Sequence, residues 1–311
     1  MLSLTTFQTA LQVGAIYSLV ALALFISYSI LNIADLSTDG CYTLGFAVGA
    51  VVTLAGHPLL ALPAAMLAGC CSGYITAFLQ TRLGVASILA GIIVNTGLYT
   101  VNLAVMGWSS NLSIYGSKSL FAMTKALSEN PVWRRWHALV VLTVILVIVC
   151  VLIVIFFRTR LGLSIRATGD NADMVRASSI NPTFTITVGL CVSNSLTALA
   201  GCLYGLLNTS CDINLGTGMV TVALASLVIG ESLFGRGGIP QRVIGVVFGA
   251  VIYRIIIAVA IGANIPTECF KLISALIVAV AIAAPQAKKL LGTQLRRMKG
   301  SRNGGAQDAE N

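Results

Sequence analysis

The side chains best suited to chemistry in this sequence are polar groups placed between long apolar runs. The stretch Asn32–Gly40, NIADLSTDG, carries two carboxylates together with hydroxyl and amide groups, and a short apolar run follows it. One interpretation is a solvated loop between two membrane spans. The other is a broken segment that lines a cavity, because irregular backbone at membrane depth is tolerated only around water or a ligand. The shortness of the following run favours the second interpretation.

Other polar side chains lie inside or beside predicted spans. They either hydrogen-bond a neighbouring helix or line a route for a polar solute. In both cases their chemistry is hydrogen bonding and charge pairing. The residues that we predict to form a substrate path are Asn32, Asp35, Thr38, Asp39, Asn95, Asn194 and Asn214.

A further candidate is a basic residue near the middle of a span. Arg254 lies about eleven residues into its predicted span, where burial costs roughly 2.5–3.5 kcal/mol unless the charge is paired or solvated. Glu231 or Glu268 could be its partner. The pattern therefore indicates either a structural salt bridge, with Arg254 and Glu231 as the first pair to consider, or a gate on the path.

No catalytic constellation is present in the sequence. The only histidines, His57 and His137, lie at predicted span ends. The sequence contains neither a nucleophile elbow nor a phosphate-cradling GxxxxGK(S/T) loop. We therefore expect no enzymatic activity and no cofactor, and we expect any ATP hydrolysis that drives transport to occur in a separate subunit.

One charged stretch lies between two long apolar runs, and we call it the elbow: Arg158–Asn181, RTRLGLSIRATGDNADMVRASSIN. A basic loop of this kind belongs on the cytoplasmic side, where a soluble partner can dock. The residues from Gly169 to Asn171 predict a turn and an N-cap for a short helix from about Ala172, which Asn181-Pro182 ends. The alternative is a merely solvated loop.

An exposed pair on that short helix, Met174 and Val175, would suit a groove on the partner. The residues that we predict to couple the chain to this partner are Arg166, Gly169, Asp170, Asn171, Met174, Val175 and Ser179.

Composition identifies the class of protein that carries these groups. The 311 residues are 57% hydrophobic and 9% charged, with a mean hydropathy of +0.93, which predicts an all-α polytopic membrane protein. The net charge of +9 follows from basic residues gathered on one side of the membrane and needs no nucleic acid.

Apolar length predicts about nine transmembrane helices, with a range of eight to ten, since a helix needs about 20 residues to cross the hydrocarbon core. We predict that residues 1–287 form a transmembrane domain, with the N-terminus outside, and that 288–311 form a basic cytoplasmic tail that is partly disordered. Gly107–His137 is expected to be a polar external loop. The predicted spans are Phe7–Ile30, Cys41–Ala55, Leu59–Leu79, Val85–Met106, Ala138–Phe157, Phe184–Leu207, Gly218–Phe234, Val243–Gly262 and Thr267–Ala284.

The sequence also indicates an internal repeat. Leu36–Gly40 and Leu215–Met219 each precede a short span rich in small residues, about 179 residues apart. An odd number of spans separates them, so the second copy would be inverted. Inverted repeats with short, Gly-interrupted segments at matching places point to a transport path.

Three stretches resemble permeases of ABC importers of the branched-chain amino acid and ribose type. The elbow sequence TRLGLSIRATGDNADMVRASSIN is similar to that family's cytoplasmic coupling loop. The stretch VALASLVIGESLFGRGGIPQRVIGVVFGAVIYR is similar to its penultimate region, and NIADLSTDGCYTLGFAVGA to its early polar segment. Within the family, the chain looks closest to a subgroup associated with aromatic amino acid uptake.

This resemblance implies a subunit of the bacterial inner membrane that forms a dimer, expected to be a homodimer, with a second permease subunit. Cytoplasmic ATP-binding subunits would hold the elbow, and an external substrate-binding protein would deliver a small polar solute, an amino acid above all. The alternatives are a permease for a sugar or nucleoside, or an ion-coupled secondary transporter.

Overall fold

The structure is a computed structural model that describes residues 4–127, 129–235 and 237–262, with single helical positions at 272, 275, 276 and 279. Eleven α-helices and two short strands occur in these ranges. The helices are α1 Leu4–Leu24, α2 Thr38–Leu54, α3 Ala61–Thr81, α4 Ser87–Val105, α5 Leu120–Ala126, α6 Pro131–Arg158, α7 Arg160–Asp170, α8 Ala172–Ala177, α9 Pro182–Asn208, α10 Met219–Phe234 and α11 Ile239–Gly262; the strands are β1 Asn111–Ser113 and β2 Ser210–Asp212.

The polytopic helical architecture predicted from composition is confirmed, but the count of nine spans is not. Each of the first eight predicted spans coincides with a helix. In the described ranges, six helices are long and apolar enough to cross a membrane: α1, α3, α4, α6, α9 and α11, with α1 counted through Ile30. The helices α2 and α10 are shorter. The predicted span Thr267–Ala284 and the basic tail lie outside the described residues, apart from the four single helical positions.

The helices α1 and α9 form the centre of the bundle, whereas α4 and α6 present most of their surface outward. Helices α2 and α3 pack along α9. Because lipid is as apolar as leucine, association inside a membrane depends on close packing, which small residues permit. Small residues provide it here: a Cβ on Gly45, Gly69 or Gly73 would overlap the α9 backbone.

A π-helical segment, Phe25–Ile30, follows α1 directly and extends it by six residues. The wider turn ends at Leu31, and the amide of Ile33 still donates back to the carbonyl of Ser27 at 2.9 Å. The chain then leaves helical geometry at Asn32, whose φ of 57° is left-handed, a conformation that asparagine tolerates. The polar stretch before α2 is therefore an irregular segment held against the bundle.

Of the two predicted partners for Arg254, Glu231 is wrong, and Glu268 lies outside the described residues. Glu231 instead binds Arg242, with 2.6 Å between Nη2 and Oε1, and Ser29 donates to the same carboxylate oxygen at 2.7 Å. Arg242 also lies over the ring of Phe25 at 4.8 Å. This cluster ties the end of the π-helical segment to the α10–α11 hairpin.

Helix geometry explains the error. Glu231 lies near the end of α10, so the residue opposite it in the antiparallel hairpin is near the start of α11. Arg254 lies twelve residues further along that helix than Arg242, or about 18 Å at 1.5 Å per residue. Its guanidinium lies 5.6 Å from the ring centre of Tyr17 on α1.

The segment that was expected to be a polar loop, Gly107–His137, is more ordered than predicted. It contains β1 and α5, and α6 already begins at Pro131. Strand β1 pairs antiparallel with β2, so that Leu112 faces Cys211. This pairing joins residues that are about a hundred positions apart, and no local pattern in the sequence announces it.

The packing of α2 on α9 can be tested at Gly45. We expect Gly45→Ala to lower the free energy of unfolding by about 1–3 kcal/mol, because the added methyl group meets the carbonyl of Ala198. The matched control is Gly97→Ala on α4, where a Cβ would meet open space, and helix propensity predicts a small gain. The measurement is the thermal unfolding midpoint of each purified variant in detergent. Equal midpoints for the two variants would contradict the packing.

Candidate functional site

The start of α10 is capped by a residue from another helix. The N-cap residue of α10, Gly218, has a φ of 91° and no side chain to offer. The carboxylate of Asp39, in the first turn of α2, accepts hydrogen bonds from the amides of Gly218 and Val220, each at 2.9 Å. A carboxylate at a helix N-terminus offsets the positive end of the helix dipole. Asp39 therefore serves the first turns of both α2 and α10, and we call this contact the α2–α10 junction.

The two backbones approach very closely at this junction. The amide of Gly216 donates to Thr43 Oγ1 at 3.2 Å. A Cβ on Gly216 would overlap the carbonyl oxygen of Asp39. Only glycine permits this approach, so the stretch before α10 is fixed against the first turn of α2.

The helices α2 and α10 run in opposite directions from the junction. Contacts of Tyr42 with Gly201 and of Phe46 with Gly205 show that α2 runs parallel to α9. Helix α10 is antiparallel to α11, α11 to α1, and α1 to α9, so α10 runs antiparallel to α2. Two short helices that meet at their N-termini and diverge are the arrangement that the inverted-repeat interpretation requires.

A cavity of about 270 Å³ lies beside the junction, between α2, α4 and the stretch before α10. Three of its lining residues were predicted as path residues: Asp39, Asn95 and Asn214. The lining that the sequence interpretation left out is mostly polar as well: Gly40, Thr43, Thr96, Tyr99, Asn102, Ile213 and Thr217. The cavity thus offers a carboxylate, amides and hydroxyl groups to a small solute.

The side chains from α4 form a single polar face. Asn95, Tyr99 and Asn102 follow one another at spacings of four and three residues, which places them on the same side of the helix. Asn102 Nδ2 donates to the carbonyl of Gly40 at 3.1 Å. This spacing is the sequence signal that could have added Tyr99 and Asn102 to the predicted set.

The remaining path candidates do not line this cavity. Asp35 and Asn194 are 1% and 0% exposed, and Asn194 Nδ2 donates to Asp35 Oδ2 at 2.9 Å. The other carboxylate oxygen accepts from the amide and hydroxyl of Ser37 at 2.8 and 2.6 Å. Thr38 donates to the carbonyl of Asp35 at 3.0 Å, and Asn32 lies exposed at the start of the segment. The hydrogen bonds from Asn194 to Asp35 and Ser37 hold the irregular segment against α9.

The elbow is built from two helices, α7 and α8, where the sequence predicted one. The predicted helix α8 begins at Ala172 as expected, with Asn171 Oδ1 accepting from the amides of Asp173 and Met174 at 3.0 Å each. Asn181 caps α9 in the same way, accepting from the amide of Thr183 at 3.0 Å. The cap of α8 was predicted from the sequence, whereas α7 was missed.

The two apolar side chains of α8 point in different directions. Met174 is 56% exposed, as predicted, but Val175 is 1% exposed, so the prediction that Val175 is exposed is wrong. In a helix of six residues that rests on α7 and α9, one apolar side chain must anchor it. Among the other predicted coupling residues, Asp170 is exposed, Ser179 has a left-handed φ of 61°, and Arg166 lies away from α8, beside the end of α6.

The elbow touches the segment that leads to the junction. A Cβ on Gly169 would overlap the carbonyl oxygen of Ile30, so α7 rests directly on the end of the π-helical segment. Leu31 packs on Gly189 of α9, and Thr168 and Thr185 share a hydrogen bond of 2.8 Å between their hydroxyl groups. Only the residues from Asn32 to Thr38 separate this contact from Asp39.

Comparison with known proteins shows the family of the chain. Residues 6–282 match the model of the family described as branched-chain amino acid transport system, permease component. The chain is 32% identical over 270 residues to a tyrosine transport system permease protein of Clostridioides difficile, covering 86% of this chain and 87% of that protein. No solved structure matched at a significant level.

The names of two more distant relatives refer to other solutes. A ribose import permease protein of Escherichia coli is 27% identical over 235 residues, covering 70% of this chain and 66% of that protein. A nucleoside ABC transporter permease protein of Lactococcus lactis is 23% identical over 269 residues, covering 76% and 68%. Because residues 6–282, most of the chain, match the family model, this chain belongs to the family of branched-chain amino acid transport system permease components.

Proposed function

We propose that this chain is the membrane-spanning subunit through which a binding-protein-dependent ABC importer carries an amino acid across a bacterial inner membrane. The chain itself is not an enzyme in this proposal, and ATP hydrolysis takes place in partner subunits. The observation that carries the proposal is the polar cavity beside the α2–α10 junction.

The cavity has the chemistry that an amino acid needs. A carboxylate oxygen and the amide oxygens of asparagine accept hydrogen bonds from an ammonium group, and asparagine amides and hydroxyl groups donate to a carboxylate. Its volume of about 270 Å³ is near the lower end of small-molecule sites, which hold roughly 300–1,000 Å³. Tyr99 adds an aromatic wall that would suit an aromatic side chain.

Two classes of solute are candidates for this cavity. The ribose and nucleoside permeases among the relatives favour a hydroxyl-rich solute as the second candidate, and the same amides and hydroxyl groups would bind sugar hydroxyls. The tyrosine permease supports an amino acid, because it is more similar and matches over more of both chains. Membership of an importer permease family gives the ion-coupled alternative no support.

We further propose that a second copy of the chain completes the path. The α4 wall of the cavity, at Thr96 and Tyr99, is exposed in a single chain, so a second copy could cover it.

In the proposed orientation, the elbow faces the cytoplasm and the N-terminus faces outward, where a substrate-binding protein delivers the solute. The positive-inside rule supports this orientation, because the elbow contains four arginines and only two aspartates.

The proposed coupling runs through backbone contact. An ATPase that moves α8 would move α7 with it, since the two helices are consecutive and share contacts. Helix α7 presses on Ile30 at Gly169, and the segment from Leu31 leads to Asp39. A displacement at the elbow would thus shift the first turn of α2 relative to α10 and alter access to the cavity.

The role of Asp39 can be tested with Asp39→Asn. We expect uptake of radiolabelled tyrosine by cells that express the complete importer to fall about 5- to 30-fold, because loss of a charge at a helix N-terminus costs about 1–2 kcal/mol. The matched control is Asp212→Asn, the same change at an exposed residue of β2 that lies outside the cavity lining. Uptake at the wild-type rate in both variants would remove Asp39 from the path.

The docking role of α8 can be tested with Met174→Glu. We expect the variant to insert into the membrane normally but to lose uptake and the co-purifying ATPase subunit, because a charge replaces an exposed apolar anchor. Met174→Leu keeps the apolar surface and should retain both. If the glutamate variant still retains the ATPase subunit, α8 is not the docking helix.

A further inference from the structure

A second cavity, of about 300 Å³, lies where the last turn of α6 meets α7 and the start of α11. We call it the arginine groove. Its lining combines an apolar floor with two guanidinium groups: Val154, Phe157, Leu163, Ile239 and Pro240, with Arg158 and Arg166. None of the predicted path residues lines it, and no residue of α8 does.

The two arginines are not neutralised by the protein. Both are exposed, and within the described ranges neither makes a salt bridge, whereas Arg242 nearby on α11 is paired with Glu231. Two unpaired positive charges at the mouth of one groove create a local preference for an anion. A guanidinium group also matches phosphate geometry, because it can donate two parallel hydrogen bonds.

The groove continues a surface that faces the membrane. Among the candidate spans in the described ranges, helix α6 is the most hydrophobic, and it presents most of its surface outward. Ile148, Val151, Leu152 and Ile155 are exposed on one face, at spacings of three and four residues, and Arg158 follows Ile155 by three. An acyl chain lying along this apolar stripe would therefore bring its headgroup to Arg158.

We propose that the arginine groove binds an anionic phospholipid, with the phosphodiester between Arg158 and Arg166 and an acyl chain along α6. The apolar floor favours this ligand over a soluble partner, because a basic pocket between membrane helices at a leaflet boundary is a typical site for anionic headgroups. The proposal does not depend on which solute the chain transports. Since the groove is formed by α6, α7 and α11, the bound lipid would fasten the elbow to the bundle.

The experiment measures lipid binding to the delipidated, full-length chain by native mass spectrometry, with phosphatidylglycerol and phosphatidylcholine as probes. Each arginine near a headgroup contributes about fivefold in affinity. We expect Arg158→Gln with Arg166→Gln to weaken phosphatidylglycerol binding roughly 25-fold while leaving phosphatidylcholine unchanged. The matched control, Arg160→Gln, removes an exposed charge that lies outside the groove and should retain the wild-type affinity.

Two further arms identify the ligand. The double variant Arg158→Lys with Arg166→Lys keeps both charges and should restore most of the binding, which separates lost charge from lost folding. Inorganic phosphate should fail to displace the lipid, because it lacks the acyl chain. Equal phosphatidylglycerol affinity in the wild type and the double glutamine variant would overturn the proposal. If the double glutamine variant also loses the ATPase subunit while it keeps the lipid, the groove is a binding site for that subunit instead.

Discussion

The structure depends on one carboxylate shared by two helix ends. Asp39 belongs to the first turn of α2 and caps the first turn of α10, whose own N-cap is a glycine. A negative charge among apolar helices is costly unless it is matched, and here the matching charge is the positive end of two helix dipoles together with backbone amides. The same bonds satisfy donors at the start of α10 that would otherwise be buried without partners.

This constraint divides the polar residues of the region into two groups with different roles. On one side, Asp35, Ser37 and Asn194 are buried and bonded to each other, so they fix the irregular segment to α9. On the other side, Asp39 and the polar face of α4 border a cavity. Asp35 and Asp39 are four residues apart but have different roles. Asp35 is enclosed by its hydrogen-bond partners, whereas Asp39 borders the cavity.

Local patterns in the sequence were sufficient for much of this architecture. Apolar length located helices at the first eight predicted spans, and the predicted cap near Asn171 placed the start of α8. Asp39, Asn95 and Asn214 were predicted together and do line one cavity. The helix positions could be predicted because helix length and capping are properties of neighbouring residues, whereas the path role of the three cavity residues stays a prediction.

The failures concern properties that only the assembled bundle decides. The partner of Glu231 depends on which turn of α11 lies opposite it, and charge alone could not choose between Arg242 and Arg254. The burial of Val175 depends on how α8 rests on α7 and α9. The pairing of β1 with β2 and the close approach of Gly169 to Ile30 join distant residues, so their causes lie in tertiary packing.

The central claim is that the cavity beside the α2–α10 junction is the route of the solute. Cysteine accessibility tests it most directly, in an otherwise cysteine-free version of the chain assembled with its partners. We expect a membrane-impermeant maleimide to label Thr217→Cys, which lines the cavity, and to spare Thr197→Cys, which is buried in α9. Tyrosine should protect Thr217→Cys where ribose does not. Labelling that neither solute slows, or no labelling at position 217, would contradict the account.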